Sequence, residues 1–299
     1  MRVGDRRHQR EIAHVDTRRR LTNPKTAFSR VMKTIVIPGT NLSCSKFIFG
    51  TANLFNGRTR KQRIALLEAA VDNGFTHFDT APYYGFGASE RDLSHVLQRH
   101  PGLTVTTKVG IYSPGGENQS DTAVLIRKAA GKLVPAISRP TINFHLDRAR
   151  SALDDSLRRL GRERVDFYML HEPQIHFLDS DEWLTWLEQA RMTGKVGAFG
   201  IASVTDELLP FLRQATGLTG VVQTLDSLDG KEADVLLRFG KPLQITYGYV
   251  SAAFAYRKSI SIEDVLRKAI ARNPQGAIIV STRRTARLPQ YARLLESAP

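Results

Sequence analysis

The stretch 75-FTHFDTAPYYGFGASE-90 sets a carboxylate, Asp79, five residues ahead of a phenol, Tyr84, where an apolar run gives way to a glycine-rich turn. Two further apolar runs end on chemistry-bearing side chains: 103-LTVTTK-108 on Lys108 and 165-VDFYMLH-171 on His171. A free phenol titrates near 10, too high for ready proton exchange at neutral pH. An adjacent ammonium favours the phenolate and lowers that value. Lys108 is expected to supply the ammonium, and Asp79 to keep Lys108 charged and in place. His171 is expected to orient a carbonyl oxygen by a hydrogen bond. Such a set suits proton transfer to an oxygen that gains charge as hydride reaches the carbon.

Four side chains scattered over 93 positions need elements that bring them together. Eight short apolar runs, at 46–51, 75–79, 103–108, 165–171, 196–202, 220–224, 242–246 and 276–280, read as strands. Amphipathic stretches at 60–74, 89–99, 147–161, 181–194, 205–215, 229–239, 260–273 and 287–297 read as the helices between them. Strict alternation predicts an α/β fold, a (β/α)8 TIM barrel with an eight-stranded parallel sheet. An open doubly wound sheet competes, but no G-x-G-x-x-G follows the first strand. In such a barrel the active site lies at the C-terminal ends of the strands. Residues two apart share a face of a strand. Phe75, His77 and Asp79 therefore share one, as do Thr104, Thr106 and Lys108, and Phe167, Met169 and His171. Asp79, Lys108 and His171 can enter the mouth together, with Tyr84 hanging over it from the loop. His77 is expected to fill a barrel layer. The long connection 112–146, with a helical pattern at 121–133, is expected to be functional, and the loops 111–146 and 172–180 are expected to overhang the site. Phe55 and Tyr112, beyond strand ends, are open between pocket wall and core.

Over roughly residues 34–297 the sequence resembles the aldo-keto reductases, through FDTAPYYG, TTK, LHEP, GKVGAFGIAS and VVQ in that order. The resemblance implies a barrel, a nicotinamide dinucleotide, NADP(H) more than NAD(H), and a catalytic tetrad of Asp79, Tyr84, Lys108 and His171. Tyr84 would be its general acid/base. It further implies cofactor contacts from Thr51, Ser203, Gln223 and Tyr247, and from Ser281, Thr282, Arg283 and Arg287 after the last strand. Gln223 and Ser203 would meet the nicotinamide carboxamide, Tyr247 would stack on its ring, and Arg287 would meet the 2′-phosphate. The chain departs from the family pattern at Ala202-Ser203, at Gly248-Tyr249-Val250-Ser251 and at Gln290-Tyr291. Those departures keep two alternatives open: a barrel doing non-redox Tyr/Lys acid–base chemistry as an isomerase or lyase, or a reductase-derived binding or regulatory protein.

Composition bounds the rest. The 299 residues suit a single large domain, and 41% hydrophobic with 24% charged residues excludes a disordered or fibrous class. Nine Lys/Arg against three acids give residues 1–31 a charge of +6 out of +14. The arm lacks hydrophobic periodicity, so it is expected to be a disordered basic extension, with residues 32–299 as the barrel domain. Its aromatics do not interleave with its basic residues, which argues against nucleic-acid stacking. The single cysteine, Cys44, leaves no intramolecular disulfide and fits a cytoplasmic location. No metal is expected, no run of about 18 apolar residues predicts a membrane span, and the partner is a small carbonyl or alcohol substrate.

Overall fold

The fold was analysed in a computed structural model, which describes residues 32–56, 58–256 and 261–296; the arm at 1–31 lies outside the described residues. All eight expected strands form: β1 (Phe47–Gly50), β2 (His77–Asp79), β3 (Thr104–Val109), β4 (Val165–His171), β5 (Val196–Ser203), β6 (Val221–Leu225), β7 (Ile245–Tyr247) and β8 (Ala277–Val280). Every neighbouring pair is parallel, and β8 pairs with β1 to close the barrel. The helices are α1 (Arg60–Asp72), α2 (Ala88–Arg99), α3 (Asp121–Leu133), α4 (Leu146–Leu160), α5 (Ser180–Met192), α6 (Thr205–Arg213), α7 (Asp234–Arg238), α8 (Tyr249–Tyr256), α9 (Ile262–Arg272) and α10 (Leu288–Glu296). None of them is long and apolar enough to cross a membrane.

Two apolar cores follow from the pleat. Ile48, Phe167, Met169, Val221, Ile245 and Ala277 meet inside the barrel. The opposite faces of the strands pack against the helices in a larger shell that includes Phe49, Phe78, Tyr168, Trp183 and Leu187. A two-stranded antiparallel hairpin, Thr34–Val36 with Ser43–Ser45, precedes β1 and adds Ile37 and Cys44 to the inner core. The sequence reading missed it, because strands of three residues carry no legible period. At the same end the ammonium of Lys46 donates to the carbonyls of Pro274 at 3.0 Å and Gly276 at 2.5 Å, and to that of Asn273.

The register staggers in steps of two. Asp79 lies opposite Thr106, Lys108 opposite Met169, and His171 opposite Ala202. Each step advances two residues, so the polar residue at each strand end stays on the inward face while the strands tilt around the axis. Thr107, one residue off, points the other way and donates to Glu90 of α2 at 2.6 Å. Glu90 also accepts from Arg159 of α4 at 2.6 Å, so one buried carboxylate ties two helices to the outside of β3.

His77 fills a barrel layer as expected. Its ring nitrogens lie 2.7 Å from Thr104 Oγ1 and 2.8 Å from Thr106 Oγ1, with Phe167 edge-on beside it. Burial, and secondarily Lys108, brings its pKa down to about 3. The unfolded chain, with an ordinary value of 6.5, therefore takes up a proton that the native protein refuses. The corresponding stability is fully present above pH 6.5 and is lost as pH falls towards 3, on the order of 4 kcal/mol at the acid end. Urea midpoints measured across that range are expected to fall with pH less steeply in His77→Gln. An unchanged slope would refute this account.

Helix α7 is shorter than the predicted 229–239. Asp226 accepts from the Ala233 amide at 3.1 Å, and Lys231 sits at φ 50°, so the preceding residues form turns.

Candidate active site

The turn after β2 explains the glycines that follow Tyr84. The Tyr84 amide donates to Ala81 at 3.0 Å, Phe86 to Tyr83 at 3.1 Å, and Gly87 to Pro82 at 2.7 Å. Gly85 and Gly87 sit at φ 60° and 81°, left-handed values that residues bearing a Cβ rarely adopt. A Cβ at Gly87 would also come within 1.8 Å of the Glu117 carbonyl oxygen. The wound turn delivers the phenol back over the strand ends.

There the four expected catalytic side chains meet. Lys108 Nζ donates to both oxygens of Asp79, at 2.7 and 2.8 Å, and to the Thr80 carbonyl at 2.9 Å. It lies 3.4 Å from Tyr84 Oη and 4.9 Å from the centre of the Tyr84 ring. The His171 ring stands edge-on to Tyr84 with centroids 5.9 Å apart. Lys108 is 1% and Asp79 4% exposed, so the pair is removed from water.

One electrostatic expectation is reversed. Burial drives the Tyr84 phenol well above its ordinary value, and the carboxylates of Asp79 and Glu172 push it in the same direction. Lys108 does not bring it down, because its ammonium is already matched by Asp79 at contact distance. His171 goes the other way: burial, then Lys108, lowers it to about 3, so its imidazole is neutral at ordinary pH. The arrangement holds one protonated acid, Tyr84, beside a neutral hydrogen-bond donor, His171.

A cavity of about 480 Å³ opens onto this cluster. Asp79, Tyr84, Lys108 and His171 line it, as do Gln223, Tyr247, Ser281 and Arg287 from the expected cofactor set. The remaining four stand elsewhere. Thr51 is buried and donates to Asp79 O at 3.0 Å and Thr80 Oγ1 at 2.9 Å, tying β1 to β2. Thr282 engages the backbone of Arg284, Arg283 is exposed to solvent, and Ser203 is fully buried behind the wall. Among the described residues that line the cavity, Gln223 has a buried polar atom with no partner, Oε1; Ser203 Oγ and Thr224 Oγ1 are also unpartnered but lie off the cavity. Buried polar groups are nearly always paired, so orphans at a cavity mark where a ligand's polar group fits.

The overhang is corrected. No residue of 111–146 lines the cavity. That connection forms a small hairpin (Ile111–Tyr112 with Thr141–Ile142) and α3, and its aromatic Tyr112 is buried under Arg148 at 4.3 Å. Phe55 is likewise buried, between Arg63 at 4.6 Å and Lys128 at 5.0 Å. The wall comes from Glu172, at the start of the other loop expected there, and from Asn53 and the α8 residues Val250, Ser251 and Phe254. Sequence reasoning missed α8, whose run YVSAAFAY has no polar face to give it a helical period. Tyr249 anchors it, with its hydroxyl 2.5 Å from Asp226, which Arg272 holds at 2.6 and 2.9 Å. Tyr291 is core, edge-on to Phe75 at 6.2 Å.

A closed parallel barrel with its polar cluster at the C-terminal strand ends is the architecture of barrel enzymes. The chain belongs to the aldo/keto reductase family, whose model matches residues 46–215. It is 36% identical over 169 residues to a D-threo-aldose 1-dehydrogenase of a Pseudomonas species, covering 54% of this chain and 50% of the relative. It is 31% identical over 172 residues to a 6-dehydroglucose reductase of Novosphingobium aromaticivorans, covering 54% and 48%. The chain thus spans about half the length of these curated relatives. Among solved structures, the holo form of an aldo-keto reductase from Bacillus halodurans superposes with a TM-score of 0.68 at 18% identity, covering 90% of this chain and 92% of that one. One from Klebsiella pneumoniae in complex with NADPH gives 0.62 at 18% identity, covering 90% and 91%. These likenesses show the fold.

Proposed function

We propose that the chain is an NADP(H)-dependent oxidoreductase that interconverts a carbonyl and an alcohol on a small, sugar-like substrate. The observation that carries this reading is the contact of Lys108 with both Asp79 oxygens and with Tyr84 Oη, beside a neutral His171. A bound nicotinamide supplies the hydride. The chain's own groups do the rest: His171 donates a hydrogen bond to the substrate oxygen, and Tyr84 gives that oxygen its proton. Lys108 and Asp79 fix the phenol in place and keep water from the buried pair. Because the phenol is held high by burial and by carboxylates, Tyr84 retains its proton, the state needed for carbonyl reduction.

The cofactor fits the residues present. The unpartnered Gln223 Oε1 suits a hydrogen bond from a carboxamide amino group, and Tyr247 offers a ring at the same mouth; Ser203, buried behind the wall, does not reach it. Ser281 and Arg287, also on the cavity, suit a phosphate. The family relatives named for aldoses and a dehydroglucose support the sugar-like substrate.

The test is consumption of NADPH with a panel of aldoses and short aldehydes, followed by absorbance of the reduced nicotinamide. Binding of NADPH with no carbonyl reduced and no alcohol oxidised would overturn the redox reading in favour of non-redox chemistry at Tyr84. For Arg287→Ala, the expected result is a loss of NADPH affinity of about tenfold or more with NADH affinity nearly unchanged. Equal losses for the two cofactors would show that Arg287 does not meet the 2′-phosphate.

A further inference from the structure

One carboxylate on the cavity has no part in the chemistry above. Glu172 follows His171 directly and lines the same cavity as Tyr84 and Lys108. Its backbone sits at φ 52°, in the left-handed region that residues bearing a Cβ adopt at a cost. Pro173 after it restricts the choice further. The conformation is held by the Glu172 amide, which donates to Ala202 O of β5 at 2.8 Å. Strain maintained at a cavity wall is an observation that points to function.

Charge balance says which function. At the reacting end, the Lys108 ammonium is cancelled by Asp79, and His171 is neutral. Among the described residues, no ion pair or hydrogen bond engages the Glu172 carboxylate. Beside the reacting groups the uncompensated charge is therefore that of Glu172, a solvent-exposed side chain on the cavity wall. Its reach is visible in the phenols of Tyr84 and Tyr247, both of which it pushes upward. Arg287, a cation elsewhere on the cavity, sits after β8 and suits the phosphate end.

We propose that Glu172 is a specificity-determining residue that selects substrates by charge. It admits neutral, hydroxyl-bearing carbonyl compounds, whose hydroxyls donate to its carboxylate, and repels compounds that carry a carboxylate beside the carbonyl. This rests on the redox reading above only in taking the cavity as the substrate's.

The experiment compares kcat/KM for glyceraldehyde, which is neutral, and glyoxylate, which is anionic, in the full chain with NADPH. Glu172→Gln is expected to reduce the preference for glyceraldehyde by about tenfold or more, and Glu172→Lys to reduce it further. Glu172→Gly relaxes the backbone and removes the charge, and is expected to match Glu172→Gln. A ratio unmoved in all three overturns the proposal, as does a shift confined to Glu172→Gly, which would mark a backbone effect. A calorimetric titration with glycolate needs no turnover. Glycolate is expected to bind Glu172→Gln and Glu172→Lys about tenfold more tightly than the wild type. Equal affinities overturn the charge filter even if NADPH turnover is found. Tighter binding in the variants with no turnover of any carbonyl sinks the redox reading and supports the filter.

Discussion

Tyr84→Phe is expected to lower kcat by about a thousandfold while leaving NADPH affinity within about twofold, because a positioned general acid contributes about 10²–10⁴. The variant tests chemistry rather than folding. Phe keeps the ring that stands edge-on to His171 and under Lys108, and the hydroxyl removed has only a 3.4 Å contact with Lys108. Steady-state rates of carbonyl reduction and a fluorescence titration of NADPH check the two halves separately. A loss smaller than about tenfold would mean that the proton comes from another group. His171 is poorly placed for that, since an imidazole with a pKa of about 3 has no proton to spare as an acid at neutral pH.

The second large effect concerns Lys108. Its removal leaves the Asp79 carboxylate buried, 4% exposed, with its cation gone. Breaking such a pair costs about 3–5 kcal/mol, more than the pair itself contributes, because an uncompensated charge stays in a dry site. Lys108→Met is therefore expected to lose both turnover and stability of that order, read from urea midpoints. Adding Asp79→Asn removes the stranded charge and is expected to restore at least half of the stability without restoring turnover. If the double variant is no more stable than Lys108→Met, the loss lies in packing of the lysine stem and not in electrostatics.

The features that proved legible are those written in local pattern. Each expected strand appears within three residues of its place, and the alternation of side chains put Asp79, Lys108 and His171 on one face. Thr107 reaching outward to Glu90, while its neighbours reach inward, is the direct sign of that alternation. What stayed hidden depends on three-dimensional surroundings. The sign of the Tyr84 shift is set by how completely the phenol is buried and by Glu172, a loop residue whose orientation no period reveals. The destination of 111–146 was misjudged because length marks a loop as unusual without saying which way it folds. In α1 the buried face includes Arg63, which a hydrophobic pattern assigns to solvent. Asp92 at 2.5 Å and Asp121 at 2.7 Å make its burial tolerable.

The two-residue stagger around the mouth limits how such a barrel can change length over descent. Adding or deleting one residue within β2, β3 or β4 would turn its terminal polar group outward towards the helices, dismantling the cluster in a single event. Loops face no such parity condition. Viable relatives should therefore carry their odd-numbered gaps between the staves, and any length change inside a stave should come in pairs.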